Sequence, residues 1–186
     1  MNKTGTQLNT SAMTRIALFV ALLSASSYLV VPLPFTPIVL SVHTVMINLI
    51  GLVLKPKHAG CTILIYLIMG LIGLPVFSGG TAGPGKIFGP TGGFYFGFLF
   101  AVVAISVLKG KSNHPLRYAV VTIGVGMPIQ HLFAVLVMCL HNGFDIRAAV
   151  LSVSIPFLIG DVFKCVIASV IAVALNRVFR SGNAYV

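Results

Sequence analysis

The residues best suited to chemistry stand in one short block, Gly160-Asp161-Val162-Phe163-Lys164, set within a long apolar run. An aspartate or lysine near the centre of a bilayer costs about 2.5–3.5 kcal/mol on insertion scales. Two such residues persist only where they do something. Their i, i+3 spacing puts both on one face of a helix, where each offsets the charge of the other. One outcome is a structural ion pair that holds helices together. The other is a polar anchor in an apolar pocket, acceptor-rich at Asp161 and donor-rich at Lys164. That combination suits a small ligand carrying both N–H donors and carbonyl or carboxylate acceptors.

Other chemistries fit less well. Gly80 to Gly85-Lys86 matches the first seven positions of a phosphate-binding loop, but Ile87 stands where a Ser or Thr must hold magnesium. Asp145 is the only other acid, so a second magnesium ligand is also missing, and the chain is not expected to hydrolyse ATP. Ser78 and His131 could be cast as an intramembrane serine hydrolase. Ser78 lies in a loop, however, and His131 beside Gln130 reads better as an interhelical hydrogen-bonding group. Cys61, Cys139 and Cys165 lie in apolar runs without metal-ligand spacing. No metal, no cofactor and no enzyme activity are expected.

The elements that must position the pair follow from composition. Of 186 residues 58% are hydrophobic and 8% are charged, too few charges for a soluble surface, which needs roughly a quarter to a third. An all-α integral membrane protein remains, a single domain over residues 1–186. Six apolar runs approach bilayer length: 12–31, 39–54, 59–74, 92–108, 117–140 and 156–177. Pro32, Pro34, Pro37, Pro56 and Pro75 punctuate them. Lys3, Arg15, Lys55, Lys57, Lys109, Lys111, Arg117, Arg177 and Arg180 fall on one side of that topology, and Lys86 and Arg147 on the other. The positive-inside rule then places both termini in the cytoplasm. It also accounts for the net charge of +10 without invoking nucleic acid.

Between the third and fourth helices, residues 75–93 hold seven glycines and three prolines. They can form neither a regular helix nor a strand. Being apolar, this segment is expected to fold back over the outer mouth of the bundle. Residues 145–154 read as a short amphipathic or apolar segment before the last helix. On the first helix Ala17, Ala21 and Ala25 form a smooth stripe that permits close helix approach, within the chain or to a partner subunit. Gly93 and Gly97 make a GxxxG expected to pack internally.

Together these blocks resemble the BioY family, the biotin-binding S components of energy-coupling-factor transporters, in order along nearly the whole chain. The resemblance rests on Pro34-Phe35-Thr36-Pro37 with Thr44, on the turn from Leu71 to Phe77, on Gly89-Pro90-Thr91-Gly92-Gly93, and on the block from Pro156 to Lys164. It implies six transmembrane helices in the cell membrane and a biotin pocket near the outer face. It also implies partners: a transmembrane coupling subunit and two ATP-binding-cassette ATPases, which alone would use ATP. Carried over residue by residue, Asp161 and Lys164 fall on the ligand-binding pair, and Thr91 and Gly92 of the glycine-rich segment, with Tyr95 just after it, are expected to join them. Ala17, Ala21 and Ala25 fall on the motif that meets the coupling subunit. The sequence departs from the family at His43, where Gln is common, at Ile159, where Pro is, and at Phe94, where Tyr is. It has no clear Asn or Arg in the third-to-fourth loop, so Lys86 is the candidate for the ligand carboxylate. In that picture Asp161 accepts ureido N–H bonds and Lys164 donates to the ureido carbonyl. A stand-alone channel or secondary transporter for another small solute is the competing reading.

Overall fold

The computed structural model describes residues 10–31, 40–111, 113–143 and 145–182. Pro32, Pro34, Pro37 and Lys3, and with them the Pro34–Pro37 motif, lie outside the described residues. Nine α-helices follow one another among the described residues: α1 (Thr10–Ser26), α2 (His43–Val53), α3 (Pro56–Leu71), α4 (Pro84–Ile87), α5 (Gly93–Leu108), α6 (Pro115–Val121), α7 (Met127–Asn142), α8 (Ile146–Val153) and α9 (Ile155–Gly182). A π-helical turn, Thr122–Gly126, joins α6 to α7. Two continuous stretches, Pro115–His141 and Ile155–Phe179, are long and apolar enough to cross a bilayer, and the other apolar helices are shorter.

Several boundaries differ from the sequence reading, among them the end of the third helix, at Leu71 rather than 74, and of the last, at Gly182 rather than 177. The first helix stops at Ser26 rather than near Val31. Val30–Val31 instead forms a two-residue strand, β1, paired antiparallel with β2 (Leu40–Ser41) in the register Val30↔Ser41 and Val31↔Leu40. Two β-branched residues ahead of a proline run favour extended backbone over helix. The second helix correspondingly starts at His43 rather than near residue 39. The third starts at Pro56, which sits in its first turn, where a missing N–H costs nothing. Reading Pro56 only as a breaker therefore placed that boundary too late.

In the main core cluster Phe19 and Leu23 of α1, Ile47 and Ile50 of α2, Ile63 and Tyr66 of α3, and Phe98 and Val102 of α5 are all buried, and a smaller cluster joins Ala134 and Met138 of α7 to Ala149 of α8. Helix α5 runs through its middle, in contact with α2, α3 and α7, while α2 also packs along α9. The GxxxG packs internally as expected: a Cβ on Gly97 would lie 2.9 Å from Gln130 Cα, and one on Gly93 would run into the Phe133 carbonyl. Only glycine lets α5 and α7 approach this closely.

Helices α2 and α9 run in the same direction. Asn48 Nδ2 donates to Cys165 Sγ (3.4 Å), and further along Asn176 Nδ2 donates to the Leu52 carbonyl (3.2 Å). Both helices therefore present their first turns to the same end of the bundle.

Candidate ligand-binding site

At that end lies a cavity of about 290 Å³ lined by the starts of α2 and α9, the first turns of α5 and the glycine-rich segment. Pro156 in the first turn of α9 sets its start, and the next turns carry Asp161 and Lys164 onto the cavity wall. Lys164 Nζ donates to Asp161 Oδ1 at 2.8 Å, the contact that their i, i+3 spacing predicts. The second carboxylate oxygen, Oδ2, is 3.2 Å from His131 Nε2 on α7. Asp161 is 8% exposed, and its charge is met from two sides, by Lys164 three residues on and by His131 thirty residues back in the chain. A carboxylate has about four lone-pair sites, so both contacts leave room for a ligand N–H.

The close approach of α5 and α7 is what delivers His131. It brings the imidazole edge-on to Phe94, with ring centroids 6.0 Å apart. Phe94, Tyr95, Phe98 and Phe157 give the cavity its aromatic wall. Tyr95 packs against Phe77 at 4.6 Å and edge-on to Phe98 at 5.8 Å, which fixes its ring.

The glycine-rich segment covers the cavity, and Ser78, Gly79, Thr81, Lys86 and Thr91 all line it. The segment is irregular apart from the single turn of α4 and a bridge between Phe77 and Thr81. Its backbone is tied down at several points. Gly79 N–H donates to the Ser27 carbonyl (2.8 Å), and Gly83 N–H to the Gly70 carbonyl (2.8 Å). The Tyr28 hydroxyl donates to the Pro75 carbonyl (2.9 Å), and the Tyr66 hydroxyl to the Val76 carbonyl (3.1 Å). Such bonds satisfy backbone groups that no regular helix or strand pairs.

Of the residues singled out by sequence, Asp161, Lys164, Lys86, Thr91 and Tyr95 come together around the cavity. Gly92 does not line it. A Cβ at Gly92 would run into the Ile87 carbonyl oxygen, so its glycine lets the segment fold back on itself. Ala17, Ala21 and Ala25 lie on the exposed face of α1, away from the cavity, opposite the buried Ile16, Phe19, Val20 and Leu23. Among the described residues two lysines and one carboxylate line the cavity, and the excess of basic over acidic side chains favours an anionic ligand. Sequence reasoning did not find Ser41, Ser78, Thr81, Phe98 and Phe157 as lining residues, and it named His43 and Phe94 without a role. The one available signal was the presence of ionisable histidines inside apolar helices, His43 and His131.

The family model for BioY matches residues 1–181 of this chain. Among curated proteins, the chain is similar to biotin transporter BioY2 of Lactococcus lactis subsp. cremoris (strain MG1363), 32% identical over 94% of this chain and 94% of that one. It is also similar to the probable biotin transporter BioY of Pyrococcus horikoshii, 37% identical over 87% of this chain and 93% of that one. Among solved structures, its fold is that of the S-component for biotin from an ECF-type ABC transporter, with a TM-score of 0.84 at 23% identity over 95% of each chain.

Proposed function

This chain belongs to the BioY family, and from that premise we propose that it is the membrane subunit through which an energy-coupling-factor transporter captures biotin. It is a transporter subunit rather than an enzyme, it works in a membrane, and its function is biotin uptake. In the finer reading, α1, α2, α3, α5, the α6–α7 rod and α9 are six membrane crossings of one domain in the cell membrane. The termini are cytoplasmic, and the glycine-rich segment lies at the outer face. Helix α2 has 11 residues and so covers about 16 Å, which puts the cavity at its start below the membrane surface.

The observation that carries the ligand assignment is Asp161 beside Lys164 on the wall of an aromatic cavity of about 290 Å³. Biotin has two ureido N–H donors and one carbonyl, an apolar fused ring bearing a thioether, and a carboxylate at the end of its tail. Asp161 accepts a ureido N–H, Lys164 donates to the ureido carbonyl, and the aromatic wall covers the ring and tail. Lys86, with Thr91 beside it on the covering segment, takes the carboxylate and offsets the net positive charge. Tyr95 belongs to the wall, and Gly92 supports the fold of the segment. Each polar contact replaces water around a buried group, whose loss without a partner costs about 1–3 kcal/mol.

Partner docking is assigned to the exposed stripe of Ala17, Ala21 and Ala25, where a smooth surface admits a helix of the transmembrane coupling subunit. ATP is used only by two partner ATPases; this chain needs no cofactor of its own. Equilibrium binding of radiolabelled biotin to the purified chain tests the ligand, with saturable binding expected and its absence decisive against the reading. Uptake by cells expressing the chain with and without coupling subunits tests the assembly. Ala21→Leu should leave binding intact and abolish partner-dependent uptake. Equal uptake without the partners would favour a stand-alone carrier.

A further inference from the structure

The α2 side of the cavity is walled by a group that the assignments above leave without a role. His43, the first residue of α2, is 1% exposed and lines the cavity, and its Nε2 has no hydrogen-bond partner among the described residues. A buried polar atom in that position is costly unless it meets a partner at some stage of the protein's work.

Which kind of partner follows from the other ring nitrogen. The Ser26 hydroxyl donates its single proton to the Leu23 carbonyl at 2.7 Å. The same oxygen lies 3.4 Å from His43 Nδ1. With its proton committed, Ser26 Oγ can only accept, so Nδ1 carries the ring hydrogen and Nε2 presents a lone pair. Tyr66 and Phe98 pack against the imidazole with centroids 5.2 and 5.8 Å away and hold its orientation. His43 therefore holds an acceptor on α2, just behind the cavity surface, in addition to the carboxylate on α9.

These two acceptors stand at similar depth. Helices α2 and α9 are parallel and meet at the Asn48–Cys165 hydrogen bond. His43 precedes Asn48 by five residues and Asp161 precedes Cys165 by four. At 1.5 Å per residue both lie on the same side of that contact, about 7.5 and 6 Å from it along their helices.

We propose that His43 is a specificity-determining ligand contact, whose Nε2 accepts one N–H of a cyclic urea while Asp161 accepts the other and Lys164 donates to the carbonyl between them. The inference rests on the reading of the cavity as a biotin site with Asp161 at its centre. It goes further by making the site count both nitrogens. An analogue with only one free N–H then loses a contact and leaves a buried acceptor unpaired, which is how a site rejects near-identical ligands.

The test is equilibrium binding of biotin, and of the two biotin derivatives methylated on one or the other ureido nitrogen, to purified wild-type, His43→Phe, His43→Gln and Asp161→Asn proteins. Wild-type protein should bind both methylated derivatives at least 10-fold more weakly than biotin. His43→Phe keeps the ring shape without the acceptor and should bind biotin about 10- to 100-fold more weakly. It should no longer discriminate against one of the two derivatives. His43→Gln, whose amide oxygen reaches close to the position of Nε2, should recover most of the loss. Biotin binding by His43→Phe within 2-fold of wild type, with binding lost in Asp161→Asn, overturns the role of His43 and leaves the site reading standing. Wild-type affinity in Asp161→Asn overturns the site reading itself. Should His43→Phe not fold, the wild-type comparison decides: tolerance of methylation at either nitrogen overturns the proposal, and rejection of both supports it.

Discussion

The two ends of the bundle use the same kinds of polar side chain in opposite ways. At the end away from the cavity, polar groups close upon one another. Lys109 Nζ donates to the Gly51 carbonyl (3.2 Å) and to the Leu54 carbonyl (2.5 Å), and the Ser106 hydroxyl also donates to Leu54 (2.6 Å). Asn113 Nδ2 donates to the Val173 carbonyl, while its oxygen accepts from the Tyr118 hydroxyl. Asn176 Nδ2 reaches both the Tyr118 oxygen and the Leu52 carbonyl. Lys109, Ser106 and Asn176 satisfy carbonyls at the end of α2, which have no partner within their own helix, while Asn113 bonds to α9, and together they tie α2, α5, α6 and α9 to one another. Towards the cavity end, His43 Nε2, Gln130 Nε2 and His131 Nδ1, and further along α2 Asn48 Oδ1, are buried without a partner among the described residues. One end uses its polar groups to hold the helices; the other keeps some of them uncommitted. A binding site in an apolar protein is recognised by that difference more readily than by polarity alone.

The comparison breaks most directly at Asp161. Asp161→Asn removes the charge that faces both Lys164 and His131, and biotin affinity should fall by at least 100-fold in an equilibrium binding assay. Wild-type affinity would mean that the pair is only structural. Lys164→Met should follow with a loss of roughly 10- to 100-fold, since it removes the carbonyl donor and leaves Asp161 with His131 alone.

Substitutions at the other end should separate stability from binding. Lys109→Met deletes two hydrogen bonds from a charged donor, and a loss of about 2 kcal/mol is expected in denaturant or thermal unfolding. Biotin affinity should stay within 2-fold. Asn176→Leu should have the smallest effect, about 1 kcal/mol, again read as a lower Tm without a change in affinity. A large change in affinity from either variant would show that the two ends are not independent.

Much of the fold could be read along the chain because each helix carries its own apolar run, and its ends carry their own breakers. The Asp161–Lys164 pair was legible for the same reason: i, i+3 spacing is local, and a charge in an apolar run is conspicuous. The short strand pair at Val30–Val31 was missed because valines suit both an apolar helix and an extended segment, and the run itself marks no change. His131 was read correctly as an interhelical hydrogen-bonding group, but its partner could not be named. The π-helical turn at Thr122–Gly126 is one reason. An extra residue in a turn rotates everything after it by about 100°, so the face on which Gln130 and His131 emerge does not follow from simple helical spacing.

The sequence by itself determined that this is an apolar helical membrane protein, that one glycine-rich segment interrupts its helices, and that a single carboxylate sits beside a lysine in the last of them. These are consequences of composition and of periodicity within one helix. Only the tertiary structure decided that His131 meets the far oxygen of Asp161 and that His43, on α2, stands at similar depth with its Nε2 unpartnered among the described residues. It likewise decided that Gly92 supports the covering segment rather than lining the cavity. Such relations depend on how helices are rotated and how closely they approach, and those are set by packing between residues far apart in the chain.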